Sequence, residues 1–317
     1  MSETDRWNDF PVGVIGHDRA GIKGKKFKQA ADCRSRVVPS FLVVGPPRTG
    51  TTWLYEVLSR QVNLPYPTKE TRFFDLHFHR GVDWYLSHFI HGARGRAAGE
   101  VAPTYFAAPD AVSRIAKVLP EVKVVFIFRQ PVERIVSLYR LKRAYGMLRW
   151  SLDEALECDP ELLGTSRYAT HLQRWRESFP QENLSVYFYE DLRRNPQDFV
   201  DGLADDLAIP RFPVDDVDSA GAGTFSSRQM TEPRSYMATR AARMAADWCK
   251  ARRLDAMVVT ARRSPLSRLF LGGGMPFQEV PASTLERIVE MVRPEVERLE
   301  RMVGRDLSDW KRIPVSE

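Results

Sequence analysis

Between Phe41 and Arg60 the chain reads FLVVGPPRTGTTWLYEVLSR: a short apolar run, a loop opened by Gly45-Pro46-Pro47 and closed by Gly50, then a helix-compatible stretch from Thr51 to Arg60. No other segment limits the fold as much. A strand that ends in a glycine-bracketed loop and passes straight into a helix aims successive backbone amides, and the positive end of the helix, at one point in space. That geometry holds an anion, and Gly45 to Gly50 followed by Thr51 and Thr52 has the spacing of a phosphate loop. Further apolar runs follow at Ala97–Val101, Lys123–Phe128 (KVVFIF) and Leu184–Tyr189 (LSVYFY). KVVFIF is polar only at its edge, as in a parallel strand buried on both faces. Helical patterns lie between and after these runs, with one starting at Pro131 and others over 166–178 and 196–207. Strands alternating with helices imply an α/β protein, a three-layer P-loop-like fold with a central parallel β-sheet.

Residues 1–37 mix Gly, Lys, Arg and Asp without sustained periodicity and are expected to form a flexible N-terminal arm. The ordered domain is expected to span 38–317, since no linker divides it. Within it, 221–275 changes character: a loop-like start, a helical pattern carrying Met237, Ala241, Met244, Ala245 and Trp248 as an expected packing face, and a Gly-rich break at 272–274. A charged amphipathic helix is expected from Ala282 to Met302. With 43% hydrophobic residues among 317, the chain has ample material for a core. No window approaches the roughly 18 apolar residues of a membrane span, and the N-terminus lacks the order of a secretory signal, so a cytoplasmic protein without an integral membrane segment is expected. Cys33, Cys158 and Cys249 are far apart and suggest neither a disulfide framework nor a thiolate metal site. The net charge of +6 is too modest for nucleic-acid binding but suits a polyanionic ligand. Residues 221–270, with ten basic and three acidic side chains, account for the whole excess.

The phosphate loop departs from the nucleotide-triphosphatase pattern. That pattern needs Lys directly after the second Gly and then Ser or Thr for magnesium, whereas Thr51 and Thr52 stand here. An Asp at the end of a nearby strand would serve a metal, yet Lys123–Phe128 is followed by Arg129. Positive charge sits inside the loop, at Arg48. Cations and hydroxyls without magnesium ligands suit a donor less charged than a triphosphate, with no metal required.

PPRTGTTW resembles the 5′-phosphosulfate loop of the sulfotransferases that use 3′-phosphoadenosine 5′-phosphosulfate (PAPS). Phe128-Arg129-Gln130-Pro131-x-x-Arg134-x-x-Ser137-x-Tyr139 resembles their 3′-phosphate motif. Lys69-Glu70-Thr71-Arg72-Phe73-Phe74-Asp75, Gly81-x-Asp83-Trp84-Tyr85 and Gly99-Glu100-x-x-Pro103-x-Tyr105-Phe106 are similar to the heparan-type N- and O-sulfotransferases. Tyr168-x-x-His171-Leu172-x-x-Trp175, Glu190-Asp191-Leu192 and Gly304-Arg305-Asp306-Leu307 continue the likeness, which spans about Val38–Pro210 and the C-terminal helix. The resemblance implies sulfuryl transfer from PAPS to a small-molecule, lipid or carbohydrate acceptor. It implies Glu70 as general base, with His77 and His79 as competitors. It makes Arg48 a fixed charge on the bridging oxygen, because arginine is a poor proton donor. It assigns PAPS contacts to Arg48, Thr49, Gly50, Thr51, Thr52 and Trp53 in the loop and helix, to Arg129 and Ser137 at the 3′-phosphate, and to Tyr168 on the adenine side. Arg134 fits the motif either as a ligand contact or as a structural pair, and Arg228 and Arg234 are possible closers of the 3′-phosphate site. Val101 departs from the heparan-type pattern, where a lysine commonly follows the glutamate matching Glu100, and this puts a sulfated-glycan acceptor in doubt. A nucleotide kinase or triphosphatase with a degenerate loop, and a non-catalytic nucleotide-binding protein, remain the alternative readings.

Overall fold

A computed structural model describes residues 37–90, 93, 95–214, 231–251 and 274–314. Its centre is a four-stranded sheet of β1 (Phe41–Val43), β2 (Gly99–Val101), β3 (Lys123–Phe128) and β4 (Leu184–Phe188), in the order β2-β1-β3-β4. All neighbours run parallel: Leu42 pairs with Glu100 on one side and Val124 on the other, and Val125 pairs with Ser185. The chain leaves β1 to form β2 on one side and returns to place β3 on the other. The crevice between the ends of β1 and β3 is therefore a topological switch point, where open α/β sheets hold ligands.

Alternation along the strands builds two cores. Phe41, Val43, Val125 and Ile127 face α1 (Thr51–Leu58), α8 (Tyr189–Arg194) and α9 (Pro196–Asp206). Leu42, Val124, Phe126 and Phe128 face the other layer, which includes α3 (Ala111–Val118), α4 (Pro131–Ala144), α7 (Tyr168–Arg176) and α11 (Ala282–Val303). Short helices α2 (Val82–Leu86), α5 (Leu152–Cys158) and α6 (Pro160–Gly164) complete these layers, with α10 (Tyr236–Ala251) further along the chain. The expected three-layer α/β architecture is present, with every expected strand in place.

Element ends follow local chemistry. Pro131 opens α4 at its first position, where no amide is needed, and the Gln130 side chain accepts from Glu133 N. β1 stops one residue short of the expected Val44, which still donates to Val125 O at 2.9 Å before Pro46 and Pro47, which lack N–H groups, end the ladder. Gly45 is required by crowding: a Cβ there would lie 2.6 Å from Ile127 N. Residues 1–36 of the expected N-terminal arm, and within 221–275 the residues 221–230 and 252–273, lie outside the described residues. On α10 the expected packing face is not realised: Met237, Ala241, Met244, Ala245 and Trp248 are all exposed.

Candidate active site

The loop after β1 takes two left-handed backbone positions, Arg48 at φ 78° and Gly50 at φ 86°. Gly50 meets both demands that select glycine, since a Cβ would also press within 3.0 Å of Leu192 and 3.1 Å of Tyr189. Thr49 is fully buried and its hydroxyl donates to Pro46 O at 2.9 Å, so it braces the loop from inside. Thr51 is buried at the first turn of α1, while Thr52 is exposed at its mouth.

The two phosphate motifs meet through Arg48. Its Nε donates to Ser137 Oγ at 2.9 Å, although the two residues are 89 apart in sequence. Arg129, emerging from β3, reaches back with Nη1 to the Arg48 carbonyl at 3.4 Å, is gripped by Glu133 at 2.6 Å, and lies over the Tyr189 ring at 4.6 Å. Burial, followed by the neighbouring Arg129 charge, pulls the Arg48 guanidinium below its usual pKa. Two guanidinium groups and a hydroxyl thus converge at the switch point, an arrangement that favours a dianion. Glu190, in the first turn of α8 just after β4, accepts from Gln130 N at 2.8 Å and fixes the turn after Arg129; burial raises its pKa.

Other residues of these motifs take internal places. Arg134 is fully buried, with Nε on Ser166 Oγ at 2.9 Å and Nη2 on Leu162 O at 2.6 Å, so it ties α4 to the end of α6 and the start of α7. Trp53, expected at the adenine, is 8% exposed and belongs to the apolar cluster around Phe41 and Leu54, leaving little ring surface for a base. Tyr168, also expected on the adenine side, is 1% exposed. Its ring stacks on Phe128 at 4.7 Å, its hydroxyl donates to Arg129 O at 2.9 Å, and burial pushes it up to about 12. It therefore bears on the site through the Arg129 backbone. Arg234 is exposed just ahead of α10, and Arg228 lies outside the described residues.

Glu70 is half-buried on the segment that follows the cis Tyr66-Pro67 bond, and its carbonyl accepts from Thr68 Oγ1 at 2.9 Å. Lys69, which the motif reading left without a role, donates from Nζ to Thr52 Oγ1 at 3.2 Å and lies over the Tyr55 ring at 5.2 Å. Burial lowers its pKa. The signal in the sequence was the lysine missing after Gly50: a loop without its own ammonium group invites one from a neighbouring segment. Thr71, next to Glu70, donates from N and Oγ1 to Oε1 of the fully buried Glu100 carboxyl group at 2.6 and 2.8 Å. Arg72 then takes a left-handed φ of 53° and leads into a π turn over Phe73–His77. The rings of His77 and His79 lie 6.2 Å apart, with His77 against Trp84 at 5.6 Å. Burial, and then Arg80, hold His77 below its ordinary pKa.

Comparison with known proteins places this geometry. The sulfotransferase domain family matches residues 39–220. The human bifunctional heparan sulfate N-deacetylase/N-sulfotransferase 3 is 30% identical over 195 residues, covering 54% of this chain and 22% of that protein. The Drosophila melanogaster bifunctional heparan sulfate N-deacetylase/N-sulfotransferase is 29% identical over 231 residues, covering 62% of this chain and 22% of that protein. The chain thus spans less than a quarter of the length of these curated relatives. Among solved structures, a sulfotransferase from Alicyclobacillus acidocaldarius superposes with a TM-score of 0.61 at 21% identity, covering 87% of this chain and all of that one, which shows a shared fold.

Proposed function

The chain belongs to the sulfotransferase family, and on that premise we propose that it moves a sulfuryl group from PAPS to a hydroxyl or amine of a small-molecule, lipid or carbohydrate acceptor. One observation carries the reading: the 2.9 Å bond from Arg48 to Ser137 joins two distant motifs into a single cluster beside the phosphate loop. With Arg129 where a metal-binding carboxylate would stand in a kinase, and family membership established, the kinase alternative gives way.

Backbone amides of the loop, with the hydroxyls of Thr51 and Thr52, are assigned to the 5′-phosphosulfate. Arg129 and Ser137 are assigned to the 3′-phosphate. Arg48, whose backbone lies in the loop while its guanidinium reaches Ser137, spans the two positions. Lys69 adds an ammonium group beside Thr52, where charge on the transferred group needs a partner. Glu70 accepts the acceptor's proton as the new bond to sulfur forms. When bound, PAPS supplies the activated sulfuryl group, and the electrons of the broken S–O bond leave with adenosine 3′,5′-bisphosphate. With a second phosphate pKa of about 6, that leaving group needs no proton at neutral pH.

The curated relatives named for heparan sulfate make an N-unsubstituted glucosamine polysaccharide one acceptor to test. Val101, buried in the apolar cluster around Phe41, offers no cation to a polyanionic chain and weighs toward less charged acceptors. The test has two arms. Calorimetry in EDTA should give adenosine 3′,5′-bisphosphate an affinity at least about tenfold above that of 5′-AMP, and Arg129→Ala should erase most of the difference. Equal affinities for the two nucleotides in the unaltered protein would remove the 3′-phosphate assignment. Incubation with labelled PAPS and a set of phenol, alcohol, lipid and amino-sugar acceptors should label one class; label on none would count against the activity.

A further inference from the structure

Directly behind the segment that carries Glu70 lies a carboxyl group to which no chemistry has yet been given. Glu100 is the middle residue of β2, paired with Leu42 of β1, and is fully buried. Its Oε1 accepts from Thr71 N at 2.6 Å and Thr71 Oγ1 at 2.8 Å, and the Tyr105 hydroxyl approaches both carboxyl oxygens at 3.3 and 3.2 Å. The cluster closes on itself: Thr71 Oγ1 and the Tyr105 hydroxyl are 3.0 Å apart, and Phe73 N donates to that hydroxyl at 3.0 Å.

The amide held by Glu100 belongs to the peptide plane between Glu70 and Thr71. The other polar group of the same plane, the Glu70 carbonyl, is held by Thr68 Oγ1 at 2.9 Å. A plane pinned at both its donor and its acceptor has a fixed orientation, and that orientation sets the direction in which the Glu70 side chain leaves the backbone. Two residues later Arg72 sits at φ 53°, a conformation that a non-glycine residue keeps only when its surroundings impose it. A purely packing role would be filled as well by an apolar side chain, because burying a carboxyl group is unfavourable unless donors surround it.

We propose that Glu100 is a positioning residue: anchored in the sheet, its carboxyl group fixes the Glu70–Thr71 peptide and so aims Glu70 at the acceptor. This rests on the reading of Glu70 as the base. The facing titratable groups are Tyr85 and Tyr105, both held protonated by burial, so no charge faces the carboxyl from them.

The test compares Glu100→Leu and Glu100→Gln in the full chain. Three readouts are used: PAPS turnover to the acceptor found in the screen, or to water where none is found; affinity for adenosine 3′,5′-bisphosphate; and hydrogen exchange of the peptide covering 66–76. Glu100→Leu should lower turnover by roughly 10–100-fold, keep nucleotide affinity within about twofold, and speed exchange of that peptide about tenfold or more. Glu100→Gln, which retains an acceptor for Thr71, should restore most of both turnover and protection. If Glu100→Leu does not fold, Thr71→Val, which removes only the hydroxyl donor, should give a smaller change of the same kind. Unchanged exchange in Glu100→Leu, or nucleotide affinity falling in step with turnover, would overturn the proposal. Absence of turnover in the unaltered protein would instead count against the sulfotransfer reading, and the exchange arm would still decide the positioning of the peptide.

Discussion

Replacing Glu100 by glutamine should make stability depend on pH in a way that the structure fixes in sign and size. Burial raises the Glu100 carboxyl from 4.5 to about 7, against the lowering influence of Thr71, Tyr85 and Tyr105. Between those values the folded protein keeps a proton that the unfolded chain has released. The folded state therefore binds more protons there, and stability falls as pH rises. The contribution is fully present below about 4.5 and lost as pH passes through about 7. A shift of about 2.5 pKa units corresponds to about 3 kcal/mol at 1.4 kcal/mol per unit, an upper figure for a fully buried group. Glutamine has the same shape, accepts from Thr71 and does not titrate. The stability of Glu100→Gln relative to the unaltered protein should therefore climb by up to about 3 kcal/mol between pH 4.5 and 7.5 and then level off. Urea unfolding followed by tryptophan fluorescence at four or five pH values measures this directly. A difference that is flat with pH, or that slopes the other way, would show that the Thr71 and Tyr105 donors outweigh burial and that Glu100 is already an anion in mild acid.

Glu70→Gln should lower turnover by roughly 10²–10⁴ while calorimetric affinity for adenosine 3′,5′-bisphosphate stays nearly constant. Normal turnover would send the base assignment to His77 or His79. Lys69→Met keeps the side-chain length over Tyr55 but removes the ammonium group from Thr52. Single-turnover rates should fall about tenfold or more with little change in product affinity, and loss of product affinity in proportion would recast Lys69 as a nucleotide-binding residue. Gly50→Ala should destabilise the fold by about 1–3 kcal/mol in chemical denaturation, because it combines a left-handed backbone with contacts to Leu192 and Tyr189; a neutral result would mean that the loop can relax.

What the sequence made legible was the part governed by local rules. KVVFIF became β3 over its full expected length because an unbroken branched and aromatic run suits only a strand covered on both faces. Pro131 marked the start of α4 because a missing amide costs nothing there. Two ring residues were ambiguous for one cause. Trp53 and Tyr168 carry rings that suit either a nucleotide base or a core, and neither residue's spacing distinguishes them; the stack on Phe128 and the bond to Arg129 O are tertiary facts. The π turn at Phe73–His77 and the left-handed Arg72 were invisible for the same reason. They are stabilised by Glu100 and Tyr105, residues about thirty positions away in sequence, and Lys69–His77 contains no glycine or proline to announce a turn.

The site nevertheless obeys a rule that could have been applied to the sequence in advance. In a parallel sheet every strand delivers its C-terminal end to the same edge, so side chains just beyond each apolar run meet there even when tens of residues separate them. Arg48 follows β1, Glu100 lies in the last two residues of β2, Arg129 follows β3 and Glu190 follows β4. All four belong to separate motifs in the sequence. Taken together as strand ends they predict their own contacts: Arg129 on the Arg48 carbonyl, Glu190 on the amide after Arg129, and Glu100 on the segment that returns from α1 toward β2. The same reasoning explains why a cation stands after β3. A carboxylate there would sit beside Glu190 at one edge, whereas Arg129 balances Glu133 and Glu190 and still points a guanidinium N–H at the phosphate loop. At that single strand end the charge is thus the reverse of the carboxylate that a magnesium-binding site would place there.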